Sequence, residues 1–309
     1  MDPVIGVNVP YLRGDYGHDL AENPRFPTWP CRFDPQSAYR PIIEARRLGF
    51  GAIRIWLCEN AEGIVLEGGR VAGVSERLTE SVRILQEAAA LHGLRVYWTF
   101  LDANSIARDG DTVTRAVLGE PDEAERFAER VVRPLVRLFD PAITFAIDLV
   151  NEPETSTAEC DAPDPIAWET LTASIAALTR GARAEREGLV TVGTTHAFLP
   201  KLAPIADALS AVDIHMYHPG GGLPPREDLV RYAGGWLADK PLIAGEAGIP
   251  KDPGPEDPAA LTNFIHNARK LDYAAVFLWQ LQGDLIDAGE RDRPMTWLAS
   301  QVRRLTLGY

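Results

Sequence analysis

Two glutamates follow short apolar segments of the chain, and their residue type and position suit acid–base or nucleophilic chemistry. Glu152 comes after the segment 147–151 (Ile-Asp-Leu-Val-Asn), and Glu246 comes after 242–245 (Leu-Ile-Ala-Gly). A carboxylate at the end of a buried strand loses solvation, so it requires partners or a chemical task. We therefore interpret Glu152 and Glu246 as the working pair of an enzyme, held by the rest of the chain.

Short apolar segments alternate with amphipathic stretches along the chain, which predicts alternating strands and helices. The predicted strands are 4–8, 52–57, 94–101, 143–150, 189–193, 212–216, 242–245 and 274–279. The predicted helices are 35–48, 76–92, 122–138, 166–187, 226–238, 258–270 and 295–305, with a small hairpin or loop over 62–74. Strands that are apolar nearly throughout are typical of a parallel sheet covered on its outer face.

Eight strand–helix units in 309 residues favour the α/β class, as a single (β/α)8 TIM barrel. We predict one catalytic domain over residues 1–309. An open doubly wound sheet is the alternative. It is disfavoured as a nucleotide-binding fold because no Gly-rich phosphate motif follows the first strand.

Polar and aromatic residues recur where the predicted strands end. In a (β/α)8 barrel the carboxyl ends of the strands meet at one face, and that face carries the active site. The residues at or near these ends are Asn8, Arg54, Glu59, Asp102, Asn104, Asn151, Glu152, His196, His215, Tyr217, His218, Glu246 and Trp279. The sequence therefore predicts that they surround one cleft.

This constellation resembles the retaining glycoside hydrolases of clan A, especially family five, which contains cellulases and mannanases. The strand order extends the resemblance over the whole chain. It implies that Glu152, in Asn151-Glu152-Pro153, is the acid/base of the fourth strand and that Asn151 contacts the sugar 2-hydroxyl. Glu246 is similar to the nucleophile of the seventh strand.

The resemblance also implies roles for supporting residues. His215 and Tyr217 are similar to the pair on the sixth strand, in which the Tyr positions the nucleophile. Arg54 is similar to the strand-two Arg that pairs with the nucleophile, and Trp279 to the aromatic floor beside the scissile bond. The third strand departs from the pattern. The family usually has a His there, whereas this chain offers two substitutes for contacts to substrate, Asp102 and Asn104.

Retaining hydrolysis needs two carboxyl groups roughly 5 Å apart on opposite sides of the anomeric carbon. The fourth and seventh strands of an eight-stranded barrel face each other, so Glu152 and Glu246 are expected to reach that separation. We expect Arg54 and Tyr217 to lower the pKa of Glu246, because both stabilise its ionised form. We expect apolar surroundings and the charge of Glu246 to raise the pKa of Glu152.

Composition restricts the partners. The net charge of −13 argues against nucleic acid or an anionic membrane as the main partner. The three cysteines, Cys31, Cys58 and Cys160, lack metal-ligand spacing, and we predict no metal and no other cofactor. The expected partner is a carbohydrate substrate, and the oligomeric state is left open. With no signal-like or membrane-spanning segment, we predict a cytoplasmic protein, unless a secretion signal has been removed.

The predicted activity is hydrolysis of O-glycosidic bonds in β-linked glucan- or mannan-type oligo- or polysaccharides by double displacement. Transglycosylation would use the same residues. A non-catalytic carbohydrate-binding barrel would be expected to lose one glutamate. A phosphate-binding barrel would need a Gly-rich phosphate site, for which Gly248 and Gly283 are insufficient. Further aromatic residues that fit sugar stacking, or packing equally well, are Tyr11, Tyr16, Trp29 and Trp56.

Overall fold

A computed structural model describes residues 2–12, 17–250, 258–281 and 303–304 of the chain. Eight strands of this part close into a barrel in which every pair of neighbours is parallel. In their order around the barrel they are β1 (Val4–Asn8), β10 (Ala275–Leu278), β9 (Leu242–Gly248), β8 (Val212–Tyr217), β7 (Val190–Thr195), β6 (Thr144–Asn151), β5 (Arg95–Asp102) and β2 (Ala52–Trp56). The predicted (β/α)8 barrel is confirmed, and so is the small antiparallel hairpin of β3 (Ile64–Glu67) and β4 (Arg70–Val74).

Helices connect the strands around the outside of the barrel. Their bounds are α1 (Pro35–Arg47), α2 (Glu76–Leu91), α3 (Asn104–Asp109), α4 (Thr112–Gly119), α5 (Pro121–Phe127), α6 (Arg133–Leu138), α7 (Trp168–Glu185), α8 (Arg226–Ala233) and α9 (Pro258–Lys270). Local signals account for several of these bounds. The side chain of Ser75 caps α2 by accepting from the Leu78 amide, and Gly234, with a φ of 104°, ends α8.

Two parts of the helix prediction are wrong. The predicted helix 122–138 is divided into α5 and α6 by a π-helical turn, Ala128–Val132. Pro134 has no amide hydrogen, so the regular bonding pattern cannot continue through it. The sequence analysis also missed α3 and α4. The start of α4 has a recognisable signal, because Asp111 accepts hydrogen bonds from the amides of Val113 and Thr114.

The barrel interior has an apolar level and a polar level. Toward the amino ends of the strands, the rings of Tyr97, Phe145 and Phe277 pack together. Gly6 makes room for this cluster, since a Cβ atom there would lie 2.4 Å from the Phe277 ring. Nearer the carboxyl ends, the interior is filled by buried polar side chains, and these belong to the site described below.

The long loop after β1 is tied down over β2. The carboxylate of Glu62 accepts hydrogen bonds from the amides of Leu20 and Ala21, and Glu59 accepts one from Gly17. Arg25 joins the same loop to the end of α3 by donating to the carbonyls of Asp109 and Gly110. The loop therefore covers one side of the barrel's carboxyl face.

Some predictions fall on residues that the structure does not describe. Tyr16, Gly283 and the predicted helix 295–305, apart from Arg303 and Arg304, lie outside the described ranges. Among the described residues, no helix combines the length and apolar character needed to span a membrane.

Candidate active site

The two predicted catalytic carboxyl groups face each other across the mouth of the barrel. Glu152 directly follows β6 and Glu246 lies in β9, three strands further around the barrel. A carboxyl oxygen of Glu152, one of Glu246 and a ring nitrogen of His215 all lie within 4.8 Å of one another. This separation is close to the value of roughly 5 Å for two carboxyl groups that act on opposite faces of one sugar carbon.

Glu246 is buried and held by a donor at each oxygen. Arg54 donates from Nη1 to Oε1 at 2.7 Å, and the Tyr217 hydroxyl donates to Oε2 at 2.7 Å. Arg54 is itself fully buried, and its Nη2 donates to Asp148 Oδ2 at 2.7 Å and to Asn151 Oδ1 at 2.8 Å. The guanidinium group therefore links β2, β6 and β9, and it fixes the orientation of the Glu246 carboxylate.

Glu152 has different partners and is more open. Its Oε1 lies 3.0 Å from His215 Nδ1, and its Oε2 accepts a hydrogen bond of 2.9 Å from Asn104 Nδ2. The side chain is 17% exposed, against 4% for Glu246. Its backbone has a φ of 47°, a left-handed conformation that costs free energy for a non-glycine residue and is concentrated at functional sites. An exposed carboxyl group on such a turn can exchange protons with a ligand or water.

The end of β5 supports Glu152 through amide side chains. Asp102 Oδ1 accepts hydrogen bonds from Asn104 Nδ2 and from Asn151 Nδ2, each at 3.0 Å. Asn104 thus joins Asp102 to Glu152. Asp102 and Asn104 lie at the cleft, as predicted. They occupy the place where the similar family usually has a His. Their contact with a substrate stays a prediction.

Aromatic rings form the wall beside Glu246. Trp279 follows β10 and is partly exposed, with its ring centroid 6.0 Å from that of Trp56 and 6.5 Å from that of Tyr217. Gly248 makes this approach possible, because a Cβ atom there would lie 2.7 Å from the Tyr217 ring and 3.2 Å from Trp279 Cβ. Such exposed rings suit the apolar faces of sugars.

The pKa values of the two glutamates run opposite to the sequence-based expectation. Burial raises the pKa of Glu246, and the nearby charges of His215 and Arg54 limit that rise. Burial also opposes ionisation of Glu152, but the hydrogen bond and charge of His215 outweigh it and lower the pKa. The expectation was wrong for Glu246 because it left out burial, and wrong for Glu152 because it left out His215, which lies between the two carboxyl groups.

His215 is the charged centre of this group. Burial alone would lower the pKa of its imidazole, but the carboxylate of Glu246 and the hydrogen bond to Glu152 raise it to about 9. At neutral pH the proton therefore resides on the imidazole, and it is shared with Glu152 over a hydrogen bond of 3.0 Å. The imidazolium therefore donates to an ionised Glu152, and Glu152 needs a further proton before it can act as an acid.

The structure brings together the nine residues that were given a catalytic or substrate-binding role, and it adds three that were not predicted at the cleft. They are Tyr97, Asp148 and Asp213, all buried inside the barrel. Asn8 joins the network by accepting from Arg54 Nη1 at 3.1 Å. The detectable signal was a single aspartate within an otherwise apolar strand, as in Ile147-Asp148-Leu149 and Val212-Asp213-Ile214.

Glu152, His215 and Glu246 also carry donor atoms of the kind that bind metal ions. They are close enough to share one ion. Each carboxylate, however, already accepts two hydrogen bonds, and the Arg54 guanidinium touches Glu246. A fixed cation at 2.7 Å disfavours a second cation on that carboxylate, so the group fits acid–base chemistry better than metal binding.

Comparison with solved structures identifies other proteins with this fold. A β-mannanase from the blue mussel Mytilus edulis superposes with a TM-score of 0.73 at 13% identity, over 99% of this chain and 92% of that one. An endo-1,4-β-mannanase from Eisenia fetida gives 0.71 at 17% identity, over 99% and 91%. A GH5_18 protein from Streptomyces cattleya, in complex with Manβ1-4GlcNAc, gives 0.70 at 18% identity, over 98% and 81%. The sequence itself matches no protein-family model and no curated protein. At these identities the likeness establishes the shared barrel.

Proposed function

We propose that this protein is a retaining β-glycosidase of the mannanase/cellulase type. In this proposal it hydrolyses O-glycosidic bonds in β-linked mannan-type oligo- or polysaccharides. The observation that carries the proposal is the spacing of the two carboxyl groups, whose oxygens lie within 4.8 Å of each other. Inverting enzymes need a wider gap of roughly 6.5–9.5 Å, which leaves room for a water molecule.

In the first step, a carboxylate oxygen of Glu246 attacks the anomeric carbon, and the bond from that carbon to the leaving oxygen breaks. Glu152, which has taken up a proton from water before this step, supplies it to the leaving oxygen, and His215 keeps its own proton. The product of this half-reaction is a glycosyl ester on Glu246. Arg54 and Tyr217 hold the attacking carboxylate in place, which lowers the entropic cost of reaching the reactive geometry.

In the second step, water attacks the same carbon while Glu152 accepts a proton from it. The ester bond breaks, and Glu246 is released as a carboxylate. The sugar leaves with its original configuration, because each step inverts it once. His215 supports the second of these roles, since a protonated imidazole favours the ionised carboxyl group that acts as the base.

The structural neighbours support a mannose-type substrate over a glucose-type one. The mussel and earthworm proteins are β-mannanases, and the Streptomyces protein holds a disaccharide with a β-1,4-linked mannosyl unit. The partly exposed Trp279 and Tyr217 beside Glu246 offer a stacking surface for such a sugar. We therefore place β-1,4-linked mannooligosaccharides first among the candidate substrates.

The decisive experiment is to incubate the protein with β-1,4-mannooligosaccharides and, in parallel, with cellooligosaccharides, and to follow the first product anomer by proton NMR. We expect the β anomer to appear first, from the mannose series. Glu246→Ala should abolish turnover, and azide should restore it with an α-glycosyl azide as product. Glu67→Ala, at an exposed position of the hairpin, serves as the matched control and should remain active.

Other outcomes would select the alternatives. An α anomer as first product would contradict the retaining mechanism. Transfer of the sugar to a carbohydrate acceptor in preference to water would make the protein a transglycosylase. Saturable binding of the oligosaccharides without any turnover would favour a carbohydrate-binding barrel.

A further inference from the structure

Beneath the catalytic pair, a second carboxylate faces His215 from inside the barrel. Asp213 precedes His215 by two residues on β8, so both side chains point into the interior, where they are 1% and 0% exposed. Asp213 Oδ2 lies 3.9 Å from His215 Nε2. No side-chain or backbone group of the described residues accepts a hydrogen bond from that nitrogen. The imidazole therefore has Glu152 at one nitrogen and the charge of Asp213 behind the other.

The neighbouring strands leave space for these two side chains. A Cβ atom on Gly193 of β7 would lie 2.5 Å from His215 Nε2, and one on Gly245 of β9 would lie 2.3 Å from both carboxyl oxygens of Asp213. Real Cβ atoms do not approach other atoms so closely. Glycine at both positions is what allows a charged pair to fill the centre of the barrel.

The surroundings of Asp213 suit a carboxylate. The amide of Gly245 donates to Oδ1 at 2.7 Å, and the Tyr97 hydroxyl donates to Oδ2. Burial raises the pKa of Asp213, whereas the charges of His215 and Arg54 and the bond from Tyr97 oppose this rise. Since both oxygens face donors, the ionised form satisfies every hydrogen bond at this position.

Of the three carboxyl groups around His215, two change their charge during the proposed catalytic cycle and one does not. Within 4.0 Å of the imidazole, the described carboxyl groups are Glu152 after β6, Glu246 on β9 and Asp213 on β8. Glu246 loses its charge when it becomes an ester, and Glu152 alternates between acid and base. Asp213 reacts with nothing and keeps its charge. The other ionisable groups of this network are Arg54 on β2, Tyr97 on β5, Asp148 on β6 and Tyr217 on β8.

We propose that Asp213 is a positioning residue that holds His215 as an imidazolium throughout the cycle. Its constant charge compensates for that of Glu246 when the ester forms, so that Nδ1–H continues to donate to Glu152 while Glu152 acts as the base. The role in the cycle rests on the proposed function. The effect of Asp213 on His215 does not, and it is measurable in the protein without substrate.

The first test is an NMR titration of the protein labelled at its six histidines, with the His215 signal assigned from His215→Gln. In the wild-type protein we expect His215 to titrate near 9, as its pKa of about 9 indicates. In Asp213→Asn, which keeps the size of the side chain and one of its two acceptor oxygens, the midpoint should fall by about one pH unit or more. Asp228→Asn, which removes an exposed carboxylate paired with Arg231, is the matched control and should change nothing.

Tyr97→Phe is the second variant, for the case that Asp213→Asn does not fold. It removes the donor that draws charge from the Asp213 carboxylate. The carboxylate then acts more strongly on the imidazole, and the midpoint of His215 should rise by a small amount. A folded Asp213→Asn in which His215 titrates as in the wild type would overturn the proposal. So would an unchanged midpoint in Tyr97→Phe, if that is the only variant that folds.

The second test connects the inference to activity. The alkaline limb of the profile of kcat/KM against pH should move toward acid in Asp213→Asn by the same amount as the NMR midpoint. A merely structural defect would lower the whole profile without moving the limb. A wild-type protein that is inactive on every sugar would contradict the proposed function, and the NMR titration would still decide the effect of Asp213.

Discussion

At the scale of single residues, the roles of the two glutamates follow from their donors. Glu246 is held by a permanent cation and a hydroxyl group, which suits a carboxylate that must stay ionised and in place. Glu152 is held by an imidazole and an amide, and the charge of the imidazole depends on pH. The neighbours of Glu246 therefore keep their charge, whereas the charge of the imidazole beside Glu152 can change. Both residues are glutamates at the mouth of one barrel.

Tyr217→Phe tests the fixed side of this arrangement. The substitution removes the donor to Glu246 Oε2 and retains the ring beside Trp279. We expect kcat/KM to fall about 100-fold, as for the loss of one preorganised donor, with little change in stability. Steady-state kinetics on mannooligosaccharides would measure it. Tyr232→Phe, at an exposed tyrosine that bonds only the Ala197 carbonyl among the described residues, is the control and should keep full activity.

At the scale of the strands, local shifts in the pairing register orient the side chains of the site. The pairing register shifts between Asp148 and Asn151 on β6, between Ile214 and His215 on β8, and between Val276 and Leu278 on β10. Such shifts redirect the side chains that follow, and here they occur close to the strand ends that carry the site. Glycines in β7 and β9 add the space that regular strands would not provide.

Gly245→Ala tests the need for that space. Its new methyl group would meet the Asp213 carboxylate, so we expect a loss of about 1–3 kcal/mol in the free energy of unfolding. Chemical denaturation would measure this loss. Gly73→Ala, in strand β4 with no atom within 4 Å of the added Cβ, is the matched control. Equal stability of the two variants would mean that the interior accommodates a side chain at residue 245.

At the scale of the whole molecule, the loop after β1 covers carboxyl groups that follow β2 and buries them beside the cleft. Glu59 is 2% exposed, and burial followed by the charges of Glu62 and Asp102 raises its pKa well above the ordinary value. A carboxyl group whose pKa is higher in the folded than in the unfolded state favours folding most at low pH. That contribution is lost as pH rises through the folded-state pKa. Glu59 therefore contributes less to folding at neutral pH than at low pH.

Glu59→Gln should remove this loss, because the amide oxygen can still accept from the Gly17 amide. We expect the free energy of unfolding to rise by on the order of 1 kcal/mol at about pH 8, and the gain to shrink toward about pH 4. Urea unfolding at the two pH values would measure it. The exposed Glu67→Gln should show no such dependence, and a variant of Glu59 that is less stable at the higher pH would refute the argument.

The sequence by itself determined the strand order, and with it the facing positions of Glu152 and Glu246, because short apolar segments and helical periodicity are local signals. The nine residues that were given a role from the sequence lie together at the carboxyl face, since each lies at or near a strand end or, like Arg54, within the second strand. Their roles stay predictions. The tertiary structure decided which of them touch. Arg54 and Glu246 are 192 positions apart in the chain, and His215 and Glu152 are 63 apart. The directions in which the pKa values of the two glutamates are shifted depend on such contacts and on burial. So does the placement of Asp148 and Asp213 inside the barrel. Contacts and burial are properties of the closed barrel, and no local segment carries them.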